Sequence, residues 1–337
     1  MPESRVTVII PTLQADSTLD ECVRSLASQT VADFDVIVVD NSGASRASQW
    51  ESVRGRARII ENPSNVGFGA AVNQAIRASA TPFVLTLNDD AVLRPGCIEA
   101  LLKAAQTRYE IGMCAPRILL YGEDRLDSAG MVLCRDGASK QRGHLEPASQ
   151  YARLQQVLMP SGCVALYRRD ILEETGLFDE SFFLYCEDTD LGLRARWKLW
   201  ECMYVPAAEV EHRYSHSAGR ASALKAYYAE RNRLFLIVKN FPAPALALAP
   251  IVSLARYFWH TVYMLAGRGK AAEHAASGGG GMQLLWCVAK AHLALIPALP
   301  RLVRERRAIQ RHGRMHPVQF RRMLSTYSIR ARQVAAL

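Results

Sequence analysis

Four short apolar runs punctuate the N-terminal part of the chain: "RVTVIIPT", "FDVIVVD", "RARII" and "FVLTL". Each is short and largely apolar, so each reads as a strand, and the run Phe83 to Leu87 as a buried one. The segments between them carry helical spacing instead. In "STLDECVRSLASQ" the residues Leu19, Cys22, Val23 and Leu26 recur on one helical face, with Ser17 or Thr18 as the N-cap. "GFGAAVNQAIRAS" opens a second helix on glycines. Strands that alternate with helices imply a parallel sheet flanked by helices. Ligands of such sheets gather beyond the carboxyl ends of the strands. Here those ends carry Pro11-Thr12, Asp40-Asn41 and Asn88-Asp89-Asp90.

Two adjacent carboxylates aimed out of a buried strand call for a reason. Asn88, Asp89 and Asp90 offer hard oxygen ligands to Mg²⁺ or Mn²⁺, whose usual partners are carboxylates and substrate phosphates. Asp40 can accept the N3–H of a uracil or thymine ring, or bind ribose hydroxyls. A pyrimidine nucleotide with a metal-bound diphosphate satisfies both positions. Taken singly, Asp40 could equally cap a turn and "NDD" could be a solvated loop; their shared placement at strand ends favours the ligand. "NPSNVGFGAAVNQAI" lacks GxGxxG spacing directly after the first strand, and no GxxxxGK[ST] occurs, which argues against a dinucleotide dehydrogenase and a P-loop NTPase. Gly67 and Gly69 are expected to let this loop approach a ligand closely, with Asn65 and Asn73 fixing its geometry.

Further along, Gly162 to Tyr167 reads as a strand, followed by a short helix and the turn "GLFDE". Glu187, Asp188 and Asp190 then stand at the start of "EDTDLGLRARW", which keeps helical spacing through Leu191, Leu193 and Trp197. Acids in a first helical turn can be no more than partners of the helix dipole. "AEVEHRYSHSAG" adds His212 and His216, either of which is structural by default.

In order, "VIIPT", "VVDNS", "NVGFGAAVN", "LNDD", "SGCVALYRRDILEETGLFDESFFLYCEDTDLGLR" and "HRYSHS" resemble the family-2 inverting glycosyltransferases of GT-A fold, and among them the rhamnosyltransferase-like branch that builds cell-surface polysaccharides. The resemblance runs over roughly residues 4–240. It implies an α/β architecture with a mostly parallel central sheet flanked by helices and a C-terminal helical extension. Residues 1–240 would form the catalytic domain and 241–337 a helical, basic region. Asn88-Asp89-Asp90 becomes the metal and diphosphate motif, with Asn in place of the family's first Asp, so that Asp90 is the surer metal ligand. His212 becomes a second metal ligand, Asp188 the general base, and Asp40 the residue that recognises the nucleobase. Pro11, Thr12, Asn65, Gly67, Asn88 and Asp89 fall on the donor side, and Glu187 and Asp190 on the acceptor or supporting side. The Gln-x-x-Arg-Trp signature of processive synthases is absent, which implies transfer of one or a few sugars. The implied donor is dTDP-rhamnose, with UDP-linked sugars behind it, and the implied acceptor a glycan or lipid-linked hydroxyl.

Two other classes compete. A nucleotide-sugar-binding protein would keep Asp40 and Asp90 without needing Asp188. A sugar-1-phosphate nucleotidylyltransferase should carry a Gly-rich, basic loop after the first strand, where this chain has the acidic "PTLQADSTLDE".

Charge and cysteines bear on compartment and partners. The chain carries a net charge of +9, and residues 300–337, with ten Arg against Glu305, hold all of it. They follow two apolar stretches, "FPAPALALAPIVSLARYFWHTVYMLAG" and "MQLLWCVAKAHLALIPALP", separated by the break "SGGGG". Apolar helices with a basic flank suit attachment to an anionic membrane surface. A packed helical subdomain or contacts in a homo-oligomer are the alternatives. Nucleic acid is not expected as a partner, because the tail offers few stacking aromatics. The eight scattered cysteines form no CxxC pair, and no signal peptide precedes the first strand, so a cytoplasmic protein at the inner face of the cell membrane is expected.

Overall fold

The structure is a computed structural model that describes residues 5–213, 223–269, 272 and 281–336. His216 and most of the "SGGGG" break lie outside the described residues. The chain packs as two compact units: Met1–Met131 with Gln141–Phe183 and Trp200–Ser217, and Val132–Lys140 with Leu184–Leu199 and Ala218–Leu337.

The strands, in chain order, are β1 (Val6–Thr12), β2 (Phe34–Asp40), β3 (Arg58–Glu61), β4 (Phe83–Leu87), β5 (Ala91–Leu93), β6 (Ile111–Leu120), β7 (Leu126–Ser128), β8 (Met131–Leu133), β9 (Ser139–Gln141), β10 (Gln155–Val157), β11 (Val164–Arg168) and β12 (Glu201–His212). Helices α1 (Ser17–Ser25), α2 (Glu51–Arg56), α3 (Phe68–Arg77), α4 (Cys97–Gln106) and α5 (Arg169–Thr175) accompany them in the first unit. The sheet there has ten strands, in the main order β10-β12-β6-β11-β4-β1-β2-β3, with β5 on β12 and β7 on β6. Strands β3, β2, β1 and β4 run parallel, as the alternation of strands and helices requires. Strand β11 inserts antiparallel between β4 and β6, and β6 pairs with β12 in parallel again. Every residue of β1 and β4 is buried, the pattern of strands covered on both faces. Their side chains join those of α1 and α4 in one core that includes Val8, Leu19, Leu85 and Leu101.

Helix α1 begins where the periodicity placed it, but its cap is Asp16. The Asp16 carboxylate accepts from Thr18 N at 2.9 Å and from Thr18 Oγ1 at 2.7 Å, so the hydroxyl expected as the cap is itself held by the cap.

The second unit contains the β8–β9 hairpin residues Val132–Lys140 and, among the described residues, six helices: α6 (Glu187–Trp197), α7 (Ala223–Asn240), α8 (Ala243–Leu265), α9 (Gly281–His312), α10 (Pro317–Thr326) and α11 (Ala331–Ala336). Its core forms where Trp197 of α6 stacks on Phe320 of α10 with ring centroids 4.7 Å apart, and Trp197 Nε1 donates to Asn240 O at 2.9 Å. Beside it lies an ionic cluster. Arg256 of α8 donates to Asp136 at 2.6 Å and to Glu230 at 2.8 Å, and Arg233 to Glu230 at 2.5 Å, all of them buried. Two acids and two guanidiniums balance, which is the condition for keeping charge out of water.

Candidate active site

Parallel register brings the strand ends of the first unit together. Thr12 closes β1 directly opposite Asp40, which closes β2, with Pro11 buried one place earlier opposite Val39. Strand β4 lies on the other side of β1, so Asn88-Asp89-Asp90 leaves the sheet at the same edge. Thr12 Oγ1 donates to Asp89 Oδ2 at 2.5 Å, tying the β1 exit to the β4 exit. Asn88 N donates to Cys163 O at 2.8 Å, and Asn88 O accepts from Ala91 N at 3.2 Å, so the acids sit in a tight turn. Asp89 and Asp90 are both buried.

That turn runs straight into β5, which pairs antiparallel with β12 so that Ala91 faces His212. This register delivers the imidazole. His212 Nε2 lies 3.2 Å from Asp90 Oδ1, and His212 Nδ1 lies 2.7 Å from Asp127 Oδ2. His144 Nδ1 approaches Asp127 Oδ1 at 3.2 Å from the other side. Burial would push the His212 imidazole down, but Cys163, Asp127 and Asp90 around it hold its pKa well above the ordinary value. Burial would likewise raise Asp127, yet the His144 and His212 hydrogen bonds bring its carboxyl below the usual range.

A histidine whose Nδ1 is held by a carboxylate presents Nε2 as a ligand of defined direction, an arrangement common behind metal-bound histidines. With Nε2 and Asp90 Oδ1 converging at 3.2 Å, the pair could hold a divalent cation between them. Among the described residues no group of three or more His, Cys, Asp or Glu side chains could hold a metal ion. The donor set fits an ion that takes one or two protein ligands and completes its shell with substrate phosphates and water.

The other donor-side residues are placed as follows. Asp40 is 1% exposed, with Oδ1 accepting from Ser42 N at 2.8 Å and Oδ2 from Ala47 N at 2.7 Å. Both oxygens thus shape the loop after β2, and contact with a base would have to use their remaining lone pairs. Asn65 Oδ1 accepts from Gly67 N at 2.9 Å and so fixes the loop geometry. The close approach at Gly67 is internal: its φ is +88°, and a Cβ there would lie 2.5 Å from Phe183 O, the atom that accepts from Phe68 N. Asn73 reaches away, to both backbone groups of Phe178.

The three acids of "EDTD" belong to the second unit, and the structure separates their environments. Asp190 is fully buried and accepts from Arg194 Nε at 2.8 Å, Lys239 Nζ at 3.0 Å and Asn240 Nδ2 at 2.8 Å. It anchors α6 to α7. Glu187 is buried, and its Oε2 has no hydrogen-bond partner among the described residues; burial, and then the Asp188 charge, push its carboxyl up to about 8. Asp188 alone is half-exposed, with Oδ1 accepting from Thr189 N at 2.6 Å and from Thr189 Oγ1 at 3.1 Å. Of the three, it is the one that reaches solvent.

Sequence reasoning missed Asp127 and His144. Asp127 lies 85 residues before His212 in a three-residue strand, and only the β6–β7 pairing reveals it. A lone polar residue in "RLDSAG" gave no signal.

Residues 7–176 match the model of glycosyl transferase family 2. The chain is 32% identical over 247 residues to the N-acetylglucosaminyl-diphospho-decaprenol L-rhamnosyltransferase of Mycobacterium tuberculosis, a match that covers 66% of this chain and 80% of that protein. Among solved structures it resembles GalNAc-T7 with UDP, GalNAc and Mn²⁺, at a TM-score of 0.58 and 14% identity over 71% of this chain and 48% of the other. It also resembles the mannosyltransferase PcManGT of Pyrobaculum calidifontis with GDP-Man and Mn²⁺, at a TM-score of 0.53 and 16% identity over 92% of this chain and 86% of the other. At such identities the two structures speak for the fold, which is GT-A. Together with the rhamnosyltransferase relative, the family match places this chain in glycosyl transferase family 2, in its rhamnosyltransferase-like branch, as an enzyme that transfers a sugar from a nucleotide donor.

Proposed function

We propose that the chain transfers rhamnose from dTDP-rhamnose to a hydroxyl of a lipid-linked glycan, with inversion, in cell-surface polysaccharide synthesis at the inner face of the membrane. The observation that carries this reading is the Asp90–His212–Asp127 chain at the strand ends, where a diphosphate with its cation would be held. The L-rhamnosyltransferase activity for which the mycobacterial relative is named supports the sugar and the lipid-diphosphate acceptor. Asp90 and His212 would hold Mg²⁺ or Mn²⁺, which when bound neutralises charge on the departing diphosphate. Thr12 and Asp89 brace that turn, and Asp40 with Asn65 shapes the loops toward the base. Asp188 takes the proton of the acceptor hydroxyl as its oxygen attacks the anomeric carbon and the bond to the diphosphate breaks. One displacement inverts the centre, so no second carboxylate is needed as a nucleophile.

For the membrane, support comes from the second unit itself. Helices α8 and α9 expose apolar side chains at helical spacing, among them Ile251, Leu254 and Phe258, and Leu285, Trp286 and Leu293. By length and composition α9 could cross a membrane, and only 11% of its apolar window is buried. With the Arg-rich residues that follow, these faces suit anchoring at an anionic interface.

The test offers purified protein dTDP-rhamnose or UDP-sugars, with a synthetic N-acetylglucosaminyl-diphospho-lipid and Mn²⁺, and reads the product anomer by NMR. Rhamnosyl transfer with inversion is expected. Transfer from a UDP-sugar alone would overturn the donor assignment, and a retained anomer the mechanism. Co-sedimentation with anionic vesicles that weakens as salt rises is expected for the membrane reading; equal binding to neutral vesicles would overturn its electrostatic part.

A further inference from the structure

Helix α6 carries Asp188 but has no side-chain cap of its own. Its N-cap residue is Cys186, in the left-handed region at φ 68°, and Tyr185 before it is left-handed as well, also at φ 68°. Neither is a glycine, so both hold a backbone conformation that side chains disfavour. Such a turn persists only where its surroundings over-determine it. The first helical bond, Asp190 N to Cys186 O at 2.8 Å, starts directly from this turn, so the turn sets where α6 begins.

What holds the turn comes from α7. Asn232 is 0% exposed, and its Nδ2 donates to Leu184 O at 2.7 Å and to Tyr185 O at 2.7 Å. Its Oδ1 accepts from Arg231 Nε at 2.8 Å, which turns the amide so that both hydrogens face the turn. All of the amide's capacity as a donor goes to two carbonyls that no strand or helix would satisfy. Two turns further along the same helix, Lys239 and Asn240 grip Asp190. Helix α7 therefore fixes α6 twice, at its entry and about its axis.

We propose that Asn232 is a positioning residue for the transfer reaction: by holding the left-handed turn Tyr185–Cys186, it sets the direction in which α6 presents Asp188. This inference rests on the reading of Asp188 as the base. Asn232 touches neither donor nor acceptor in this role, so its loss should appear in kcat and leave donor affinity alone. A misplacement on the order of 1 Å at a reacting group can cost about 10²-fold in rate.

The test is a double-mutant cycle with Asn232→Ala and Asp188→Asn, using dTDP-rhamnose with the synthetic N-acetylglucosaminyl-diphospho-lipid, and calorimetry for dTDP-rhamnose with Mn²⁺. Asn232→Ala alone should lower kcat about 10²-fold with an unchanged donor Kd. In the Asp188→Asn background the same substitution should cost nothing further, because the group it positions has already gone. Leu236→Ala, buried on the same helix, should keep kcat near wild type while lowering stability. Equal losses from Asn232→Ala in both backgrounds, or an equal kcat loss from Leu236→Ala, would overturn the proposal. So would a folded Asn232→Ala enzyme with full kcat. Should Asn232→Ala fail to fold, Asn232→Ser, which keeps one short donor, carries the same cycle. Full turnover by Asp188→Asn would remove the base reading, and this inference with it, and is recognised separately because Asn232 plays no part in that measurement.

Discussion

Asp90 and Asp188 are both the second acid of an adjacent pair, and both stand where one element gives way to another. They are held by different means. Asp90 leaves the end of β4, and its partner His212 arrives as the last residue of β12 through pairing with β5. Backbone register places both groups, and side chains only refine them. Asp188 stands at the entry of α6, where the supports are side chains: Thr189 on its own oxygen, Asn232 on the preceding turn, Lys239 and Asn240 on Asp190. A sheet edge averages over many backbone bonds. A helix seat gripped by four side chains does not, so single substitutions should separate the two regions cleanly.

The largest effects should come from the two acids and should be opposite in kind. Asp188→Asn is expected to keep Mn²⁺-dependent donor binding while kcat falls by about 10²–10⁴-fold, the usual contribution of a positioned general base. Asp90→Ala is expected to lose metal-dependent donor binding itself. Calorimetry and saturating-donor kinetics on both variants check this; unchanged donor affinity in Asp90→Ala would remove the metal assignment.

How much of this was legible follows the same division. The parallel strands were readable because short apolar runs and helical spacing are local signals, and parallel pairing brings their ends together without further information. The place of Asp90 in a turn at a strand end was readable from "FVLTL", and that of Asp188 at a helix start from "EDTDLGLRARW". The supports were not. Asp127 reaches His212 only through β7 and β12, and Asn232 reaches Tyr185 across 47 residues of sequence. Gly67 was readable as a position needing a glycine, but its neighbour, Phe183 O, belongs to a distant loop. At Asp16 two plausible hydroxyl caps stood next to the true one, and only the geometry chooses. Periodicity shows which face is buried; it does not show which polar group meets it.

Next in size is Asp190→Asn. Removing this charge takes a buried carboxylate away from Lys239 and Arg194, and breaking such a buried pair costs about 3–5 kcal/mol. The midpoint of urea unfolding should drop while Mn²⁺ affinity at the strand ends stays constant. Loss of metal affinity without loss of stability would contradict the anchoring role.

Asp127→Asn should act on the other region and more gently. Replacing the carboxylate behind a metal-binding imidazole typically costs 10–100-fold in metal affinity. Titration of Mn²⁺ into the variant with dTDP-rhamnose present measures it, and the urea midpoint should move less than in Asp190→Asn. An affinity equal to wild type would show that His212 does not need its relay.

The smallest effect at neutral pH should come from Glu187→Gln, although Glu187 adjoins the proposed base. Its folded carboxyl sits at about 8, raised from 4.5 by burial and by the Asp188 charge, so at pH 7 it is already mostly protonated. A carboxamide of the same shape then changes little, and kcat at pH 7 should stay close to wild type. The pH dependence of stability tells the two apart. Between the unfolded value, near 4.5, and the folded value, near 8, the native state holds a proton that the unfolded chain has lost. Unfolding free energy must therefore fall as pH rises through that window, by up to about 1.4 kcal/mol per pH unit from this one group. Below the window both states are protonated and the contribution is complete; above it both are ionised and the contribution has gone. Glu187→Gln removes the titration, so its stability curve should be flatter from pH 5 to 8 and should lie above wild type at the alkaline end. Urea denaturation at four pH values measures this. Parallel curves would mean that Glu187 ionises in the folded protein as an ordinary carboxyl, and that the helix start seats two negative charges side by side.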